Sequence, residues 1–331
     1  MQTHQRTSLI LGSTDGSHVR VRFLGKEDLV ECAEPSLLFN SLRRGLEEVS
    51  KGKVQLPGRT VLTAGDSWWG VMPAYQPSQA FVTKVVSVIP GNTQRGLPPV
   101  QGALTLYDAQ TGRLCGVMDG APFTAIRTAV TTLFAVTELT DAKSFYFRGC
   151  GYQANYHAEM LAKLMPGARV NADSRSIDSK NRFLENAAKA GLNIDHSLTA
   201  DTANALIIAT SSTSPVLEDR PVGPKIVASI GAHTPEEREL SDLAISRFGL
   251  VVVDSIENCT REAGDIVQTL ASGILKREKV VELKEALNAG RAGSSGGILY
   301  KSVGAAYEDL FVASALAETA QKKNLGVVVE V

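Results

Sequence analysis

The sequence predicts an α/β protein in two parts, and three observations predict it. Between residues 144 and 253, short apolar runs alternate with helical segments, the grammar of βαβ units and a parallel sheet. A glycine-rich turn, Gly149-Cys150-Gly151-Tyr152-Gln153-Ala154, joins the first of those runs to the first of those helices. The residues ahead of it carry helical and hairpin-like patterns instead, so an α+β part precedes the parallel one.

Taken in order, Pro35 to Ser50 places Leu38, Leu42 and Leu46 at helical spacing, which predicts an amphipathic helix. Phe81 to Val88 alternates apolar with polar or small residues and predicts a strand. Gly102 to Met118 reads as two strands around a turn at Asp108 to Gly112, giving an antiparallel unit. Asp119-Gly120 then feeds a helix over Thr124 to Leu139. Strand-like runs follow at Ser144 to Phe147, Ala168 to Ala172, Ala205 to Thr210, Ile226 to Ile230 and Leu250 to Val253. The last helix, Val303 to Lys322, sets Ala306, Leu310, Ala313 and Leu316 on one stripe. It lies beyond the last parallel strand and is expected to return to the first part. The expected domains are 1–140 with 302–331, and 141–301.

The length of 331 residues agrees with two domains at roughly 100 to 200 residues each. Apolar residues make up 44% and charged residues 21%, with no low-complexity tract, so the chain is of the globular class. The net charge of −1, without a run of like charges, disfavours nucleic acid and anionic membranes as partners. No apolar run approaches the roughly 20 residues needed to span a bilayer. Met1 to Ser8 is polar and lacks a secretory pattern, and Cys32, Cys115, Cys150 and Cys259 are scattered without metal spacing. Both predict a cytoplasmic protein with reduced, mostly buried thiols and no metal. Trp68 and Trp69 are expected in a core or an interface.

The glycine turn fits the G-x-G-x-x-A variant of the dinucleotide fingerprint of Rossmann domains. Gly149 permits the tight turn, Gly151 lets the backbone approach a pyrophosphate, and Ala154 keeps the helix close to the strand. Tyr152 and Gln153 open that helix, whose amino terminus faces the phosphates. About 20 positions later, Asp173 ends the next strand, where a carboxylate accepts hydrogen bonds from the adenosine ribose and favours NADH. Arg175, just beyond Ser174, offers a guanidinium to a 2′-phosphate, so NADPH stays open. The competing reading of Asp173 to Arg175 is a solvated turn.

Beyond the fingerprint, motifs along most of the chain resemble the ornithine cyclodeaminase and mu-crystallin family. They run in order: Lys84-Val85-Val86, Pro90-Gly91-Asn92, Thr111-Gly112, Met118-Asp119-Gly120 with Thr124 to Ala129, Ser229 to Pro235 with Glu239-Leu240, and Lys301 to Gly304 with Glu308-Asp309. The resemblance implies a Rossmann NAD(P)-binding domain, a substrate and dimerisation domain built from the first third plus the last helix, and a homodimer. It implies that Arg59, Lys84 and Arg127 hold a substrate carboxylate, a role suited to an arginine fork and a compact ammonium. It also sets Thr128, Thr210, Ser211, Ser229, Ile230, Gly231, Ser302 and Gly304 near the cofactor.

Two departures alter the chemistry that the resemblance implies. His233 stands where the cyclodeaminases and related alanine dehydrogenases carry an aspartate that meets the substrate amino group. An aspartate favours a cationic amine by charge, whereas an imidazole can donate a proton. Pro99 stands where the cyclodeaminases carry a pocket threonine, and it offers no hydroxyl. These changes move the expectation to the reductases of the family: hydride transfer from NADH or NADPH to a small cyclic imino acid, with His233, Lys84 and Arg127 catalytic. The alternatives are an ornithine or lysine cyclodeaminase, an alanine dehydrogenase-type enzyme, and a crystallin-like NAD(P)H-binding protein with little turnover.

Overall fold

The computed structural model describes residues 19–289 and 296–330, the side chain of residue 93 excepted. Met1 to Ser8, with the missing leader pattern, lie outside the described residues. The chain opens with β1 (Arg20–Leu24), α1 (Lys26–Cys32) and α2 (Pro35–Ser50). It continues through β2 (Thr60–Ala64), β3 (Ser67–Gln76), β4 (Ala80–Val88), β5 (Val100–Asp108) and β6 (Leu114–Asp119) into α3 (Gly120–Leu139). Then come β7 (Ser144–Arg148), α4 (Tyr152–Leu164), β8 (Arg169–Asp173), α5 (Ile177–Lys189), β9 (Asn193–Ile194), β10 (Ala205–Ile208) and β11 (Ile226–Ser229). They are followed by α6 (Asp242–Ser246), β12 (Leu250–Val253), α7 (Ile256–Glu262), α8 (Gly264–Ala271), β13 (Val280–Glu282), α9 (Leu283–Asn288) and β14 (Ile298–Lys301). The chain closes with α10 (Ala306–Lys323) and β15 (Val327–Glu330).

These elements form two units: the described residues through Arg127 with those from Ala306 on, and Thr128–Ala305. The sequence pattern set the boundaries after 140 and after 301. The first falls instead inside α3, because a helix reads as one element even when its two ends belong to different units. The second falls later because Gly304, at φ +88°, delays the start of α10 from the expected Val303 to Ala306.

The first unit holds a seven-stranded sheet in the order β15-β1-β6-β5-β4-β3-β2. The hairpin strands pair antiparallel as expected, but β1 lies parallel to β6, so the sheet is mixed. One face is apolar and buried through Met72, Ala74, Val82, Val86, Leu104 and Leu106. Helices α2 and α10 cross closely in this unit: a Cβ on Gly45 would come within 2.6 Å of the Phe311 ring, and the Ser41 hydroxyl donates to the Phe311 carbonyl at 2.8 Å. The predicted stripe of Leu38, Leu42 and Leu46 is buried, each leucine contributing roughly 1.5–3 kcal/mol on transfer from water.

The second unit is an eight-stranded parallel sheet in the order β13-β12-β14-β11-β10-β7-β8-β9. From β7 the chain winds outward through β8 to β9, then returns to β10 on the other side of β7. That reversal between β7 and β10 is a topological switch point, where ligands of open α/β sheets bind at the carboxyl ends of the strands. The five strands read from the sequence are all present. The sequence reading lacks β9 and β13 at the sheet edges and β14, which lies between β11 and β12.

Candidate active site

In the first unit, Lys84 occupies an inward position of β4 between Val82 and Val86, so its ammonium enters the apolar face of the sheet. Carboxylates from the first turn of α10 make that position tolerable. The Lys84 ammonium donates to Asp309 at 3.0 Å and lies 2.8 Å from its other oxygen. Arg127, near the middle of α3, donates to Glu308 at 2.9 Å, and its Nε pairs with Asp309 at 3.0 Å. All four side chains are buried. Burial, with the nearby Arg127 and Arg59 cations, lowers Lys84 to about 8 against the pull of Asp309. Arg59 is thus close enough for its charge to act on Lys84, and the structure gathers all three predicted carboxylate-binding cations in one unit.

In the second unit, the fingerprint has a different reason for each glycine. Gly149 sits at φ +93°, and a Cβ there would lie 2.4 Å from the Ala209 carbonyl oxygen, so no other residue fits. Gly151 has an extended backbone at the N-cap of α4, and a Cβ there would meet no protein atom within 4 Å. Packing therefore does not account for this glycine. The open space at the amino terminus of α4 is what the close approach of a phosphate would require. Ala154 is buried, Tyr152 and Gln153 are half-buried, and the Cys150 thiol is pushed up to about 12 by burial. Asp173 and Ser174 are half-buried and Arg175 is exposed at the end of β8. The residues present fit a dinucleotide.

The loops beyond β10, β11, β12 and β14 are held by buried carboxylates. Glu239 accepts from the Thr210 amide and hydroxyl at 2.9 and 2.7 Å through one oxygen. Through the other it accepts from the Ser229 hydroxyl at 2.7 Å and the Gly231 amide at 2.8 Å. Asp265 accepts from the amides of Glu239 and Leu240, both at 2.9 Å, and pairs with Lys301 at 3.0 Å. Burial disfavours the Lys301 ammonium, but Asp265 and Glu239 hold its pKa above the ordinary lysine value, so its charge offsets one of two buried negative charges. Asp254 accepts from the Ser302 hydroxyl at 2.8 Å and from the amides of Val303, at 3.0 Å, and Gly304. The predicted cofactor residues Thr210, Ser229, Gly231, Ser302 and Gly304 are thus fixed by these carboxylates. Ile230 continues the ladder by donating to Ile208 at 3.0 Å, Ser211 is exposed on the loop after β10, and Thr128 is half-buried on α3.

His233 follows β11 with its side chain 30% exposed. Its Nδ1 lies 3.1 Å from the Gly231 carbonyl oxygen and 3.8 Å from Glu237. A carbonyl oxygen only accepts, so this contact puts the proton of the neutral ring on Nδ1. No group of His, Cys, Asp and Glu able to hold a metal occurs among the described residues.

The model of the ornithine cyclodeaminase/mu-crystallin family matches residues 23–324. The chain belongs to that family. It is 33% identical over 288 residues to a Delta(1)-pyrroline-2-carboxylate/Delta(1)-piperideine-2-carboxylate reductase of Azospirillum brasilense, covering 84% of this chain and 89% of that protein. It is 30% identical over 305 residues to the ketimine reductase mu-crystallin of Mus musculus, covering 88% and 95%. Among solved structures it resembles the Delta(1)-pyrroline-2-carboxylate reductase of Thermococcus litoralis in complex with NADH and L-proline, with a TM-score of 0.82 and 27% identity, covering 92% and 99%.

Within this family member, sequence reasoning found the cations and glycines but assigned no role to the residues that hold them. Glu239, Lys301, Glu308 and Asp309 entered only as motif letters, Arg148 received no role, and Asp254 and Asp265 did not enter. The available signal was charge beside apolar strands: Asp254 follows Leu250–Val253, Arg148 follows Phe145 to Phe147, and Lys301 ends Ile298–Lys301.

Proposed function

We propose that this chain reduces a small cyclic imino acid, 1-pyrroline-2-carboxylate or 1-piperideine-2-carboxylate, to proline or pipecolate with NADH or NADPH. The observation that carries this reading is the buried Lys84 and Arg127 pair, with Arg59 nearby, in a chain that also holds a dinucleotide fingerprint. The names of its relatives support it.

Arg59 and Arg127 present planar forks, and Lys84 a compact charge, to the substrate carboxylate. Asp309 and Glu308 fix the cations before substrate arrives, so little ordering is left to the binding step, and oriented binding is a large part of catalysis. Reduction of C=N adds a hydride to carbon and a proton to nitrogen. When bound, NAD(P)H supplies the hydride. With Nδ1–H held by the Gly231 carbonyl, His233 supplies that proton from Nε2 as the imidazolium, or relays one from solvent through the same nitrogen. Lys84, lowered to about 8 by burial, assists in the substrate's polarisation.

Two further parts of the reading concern the whole molecule. The outer sheet face of the first unit exposes Leu62, Trp69 and Val85 at 62, 41 and 39%. These are adjacent on one face by the β2–β3 and β3–β4 registers. Such apolar exposure favours a subunit interface, and we assign a homodimer through it. All four cysteines are free, which favours a reducing compartment such as the cytoplasm. No helix among the described residues is long and apolar enough to cross a membrane.

Purified protein supplied with NADH or NADPH and each of the two imines, and in parallel with ornithine or lysine, tests the reaction class. Oxidation of the nucleotide by an imine is expected. Ammonia release from ornithine or lysine without net nucleotide oxidation would replace the reductase with a cyclodeaminase.

A further inference from the structure

Arg148 is the last residue of β7 and the register partner of Asp173 at the end of β8. The other residues of β7 are all buried, and Arg148 alone reaches the surface. Its side chain spans the carboxylate edge of Asp173: Nε lies 3.3 and 3.2 Å from the two oxygens, and Nη2 lies 3.0 Å from the second. The remaining nitrogen, Nη1, donates to the Val216 carbonyl at 2.8 Å. Val216 in turn donates to the Glu239 carbonyl at 2.8 Å. The guanidinium is therefore tied at both ends, and it straddles the switch point between β8 and the loop after β10.

The consequence for Asp173 is geometric. Its backbone is fixed through its carbonyl, which accepts from the Gly149 amide at 3.0 Å, and its carboxylate is fixed by the fork. A carboxylate offers about four lone-pair sites; Arg148 and the Tyr146 hydroxyl take part of them, and a ribose diol can donate to the rest, since Asp173 is only half-buried. A 2′-phosphate would set roughly −1.5 to −2 charges beside a carboxylate that cannot swing into solvent.

We infer that Arg148 determines cofactor choice: by clamping Asp173 against the adenosine ribose it selects NADH over NADPH. This rests on the reading of the second unit as the NAD(P)H site but not on the imine substrate.

Fluorescence titration of NADH and NADPH, without imine, into the wild-type protein, Arg148→Lys, Arg148→Met and Asp173→Asn tests it. The wild type is expected to bind NADH about tenfold or more tightly than NADPH, the scale of a like-charge contact. Arg148→Lys keeps the positive charge but loses the fork, and is expected to move the ratio toward one, as are Arg148→Met and Asp173→Asn. Thermal unfolding without nucleotide identifies any variant that has simply lost its fold, and Arg148→Lys is the variant least prone to do so. Equal or tighter NADPH binding by the wild type overturns the inference, as does failure to bind either nucleotide. So does an unchanged ratio in both Arg148 variants when Asp173→Asn loses it. Selective NADH binding by a protein that reduces no imine would instead sink the reductase reading and leave this one standing.

Discussion

The Lys84 ammonium lies 2.8 Å from the Asp309 carboxylate, with both side chains buried. Burial lowers Lys84 from its ordinary 10.5 to about 8, while Asp309 opposes the fall. Between those values the unfolded chain holds this proton more tightly than the folded one. Lys84's contribution to stability is therefore lost as pH falls through about 8 and recovered toward 10.5.

Substrate binding has the opposite dependence, because the carboxylate needs the ammonium. The kcat/KM for the imino acid is expected to fall above about pH 8, where the free enzyme loses this proton. Asp309→Asn is expected to shift that alkaline limb to lower pH. A pH profile of both proteins checks this, and an unmoved limb would contradict it.

Arg127 is the shared partner of Glu308 and Asp309. Arg127→Met strands buried carboxylates, and the expected loss of stability is about 3–5 kcal/mol, measured by denaturant unfolding. Arg127→Lys keeps a charge but not the fork. It is expected to lose less stability and to raise KM for the imino acid.

The two fingerprint glycines are expected to separate fold from binding. Gly149→Ala forces a Cβ to within 2.4 Å of the Ala209 carbonyl at a positive φ and should lower the melting temperature. Gly151→Ala meets no protein atom within 4 Å, so its melting temperature should be unchanged while NADH binding weakens. Thermal unfolding and fluorescence titration of both variants check this. A Gly151→Ala protein that binds NADH like the wild type would contradict the assignment.

Much of this was legible in the sequence because it rests on local periodicity. The helix over Pro35–Ser50 and the strand at Leu250–Val253 match the residues that alternation and spacing predict. What was not legible depends on partners distant in sequence. Strand β14 is a four-residue run whose central place is decided by its neighbours β11 and β12. Lys84 and Arg127 were readable as candidate cations, but their burial depends on Asp309 and Glu308, about two hundred residues away. Arg148 carries no pattern of its own, and only the pairing of β7 with β8 gives it Asp173.

Glu239 ties the ends of β10 and β11 together by accepting at both of its oxygens. Glu239→Gln turns one acceptor into an amide donor facing other donors, at an expected cost of about 1–3 kcal/mol. The loops carrying Thr210, Ser229 and Gly231 should loosen, and NADH binding should weaken with them. Unfolding and titration of this variant check both. Wild-type NADH affinity in a destabilised Glu239→Gln protein would separate this network from cofactor binding.

The most direct test of the central claim is the stoichiometry of proline formed against NADH consumed when the purified wild-type protein acts on 1-pyrroline-2-carboxylate. The account predicts one proline per nucleotide oxidised, with the rate collapsing in Arg127→Lys. A folded, NADH-binding protein that forms no proline and oxidises no nucleotide with either cyclic imine would contradict it.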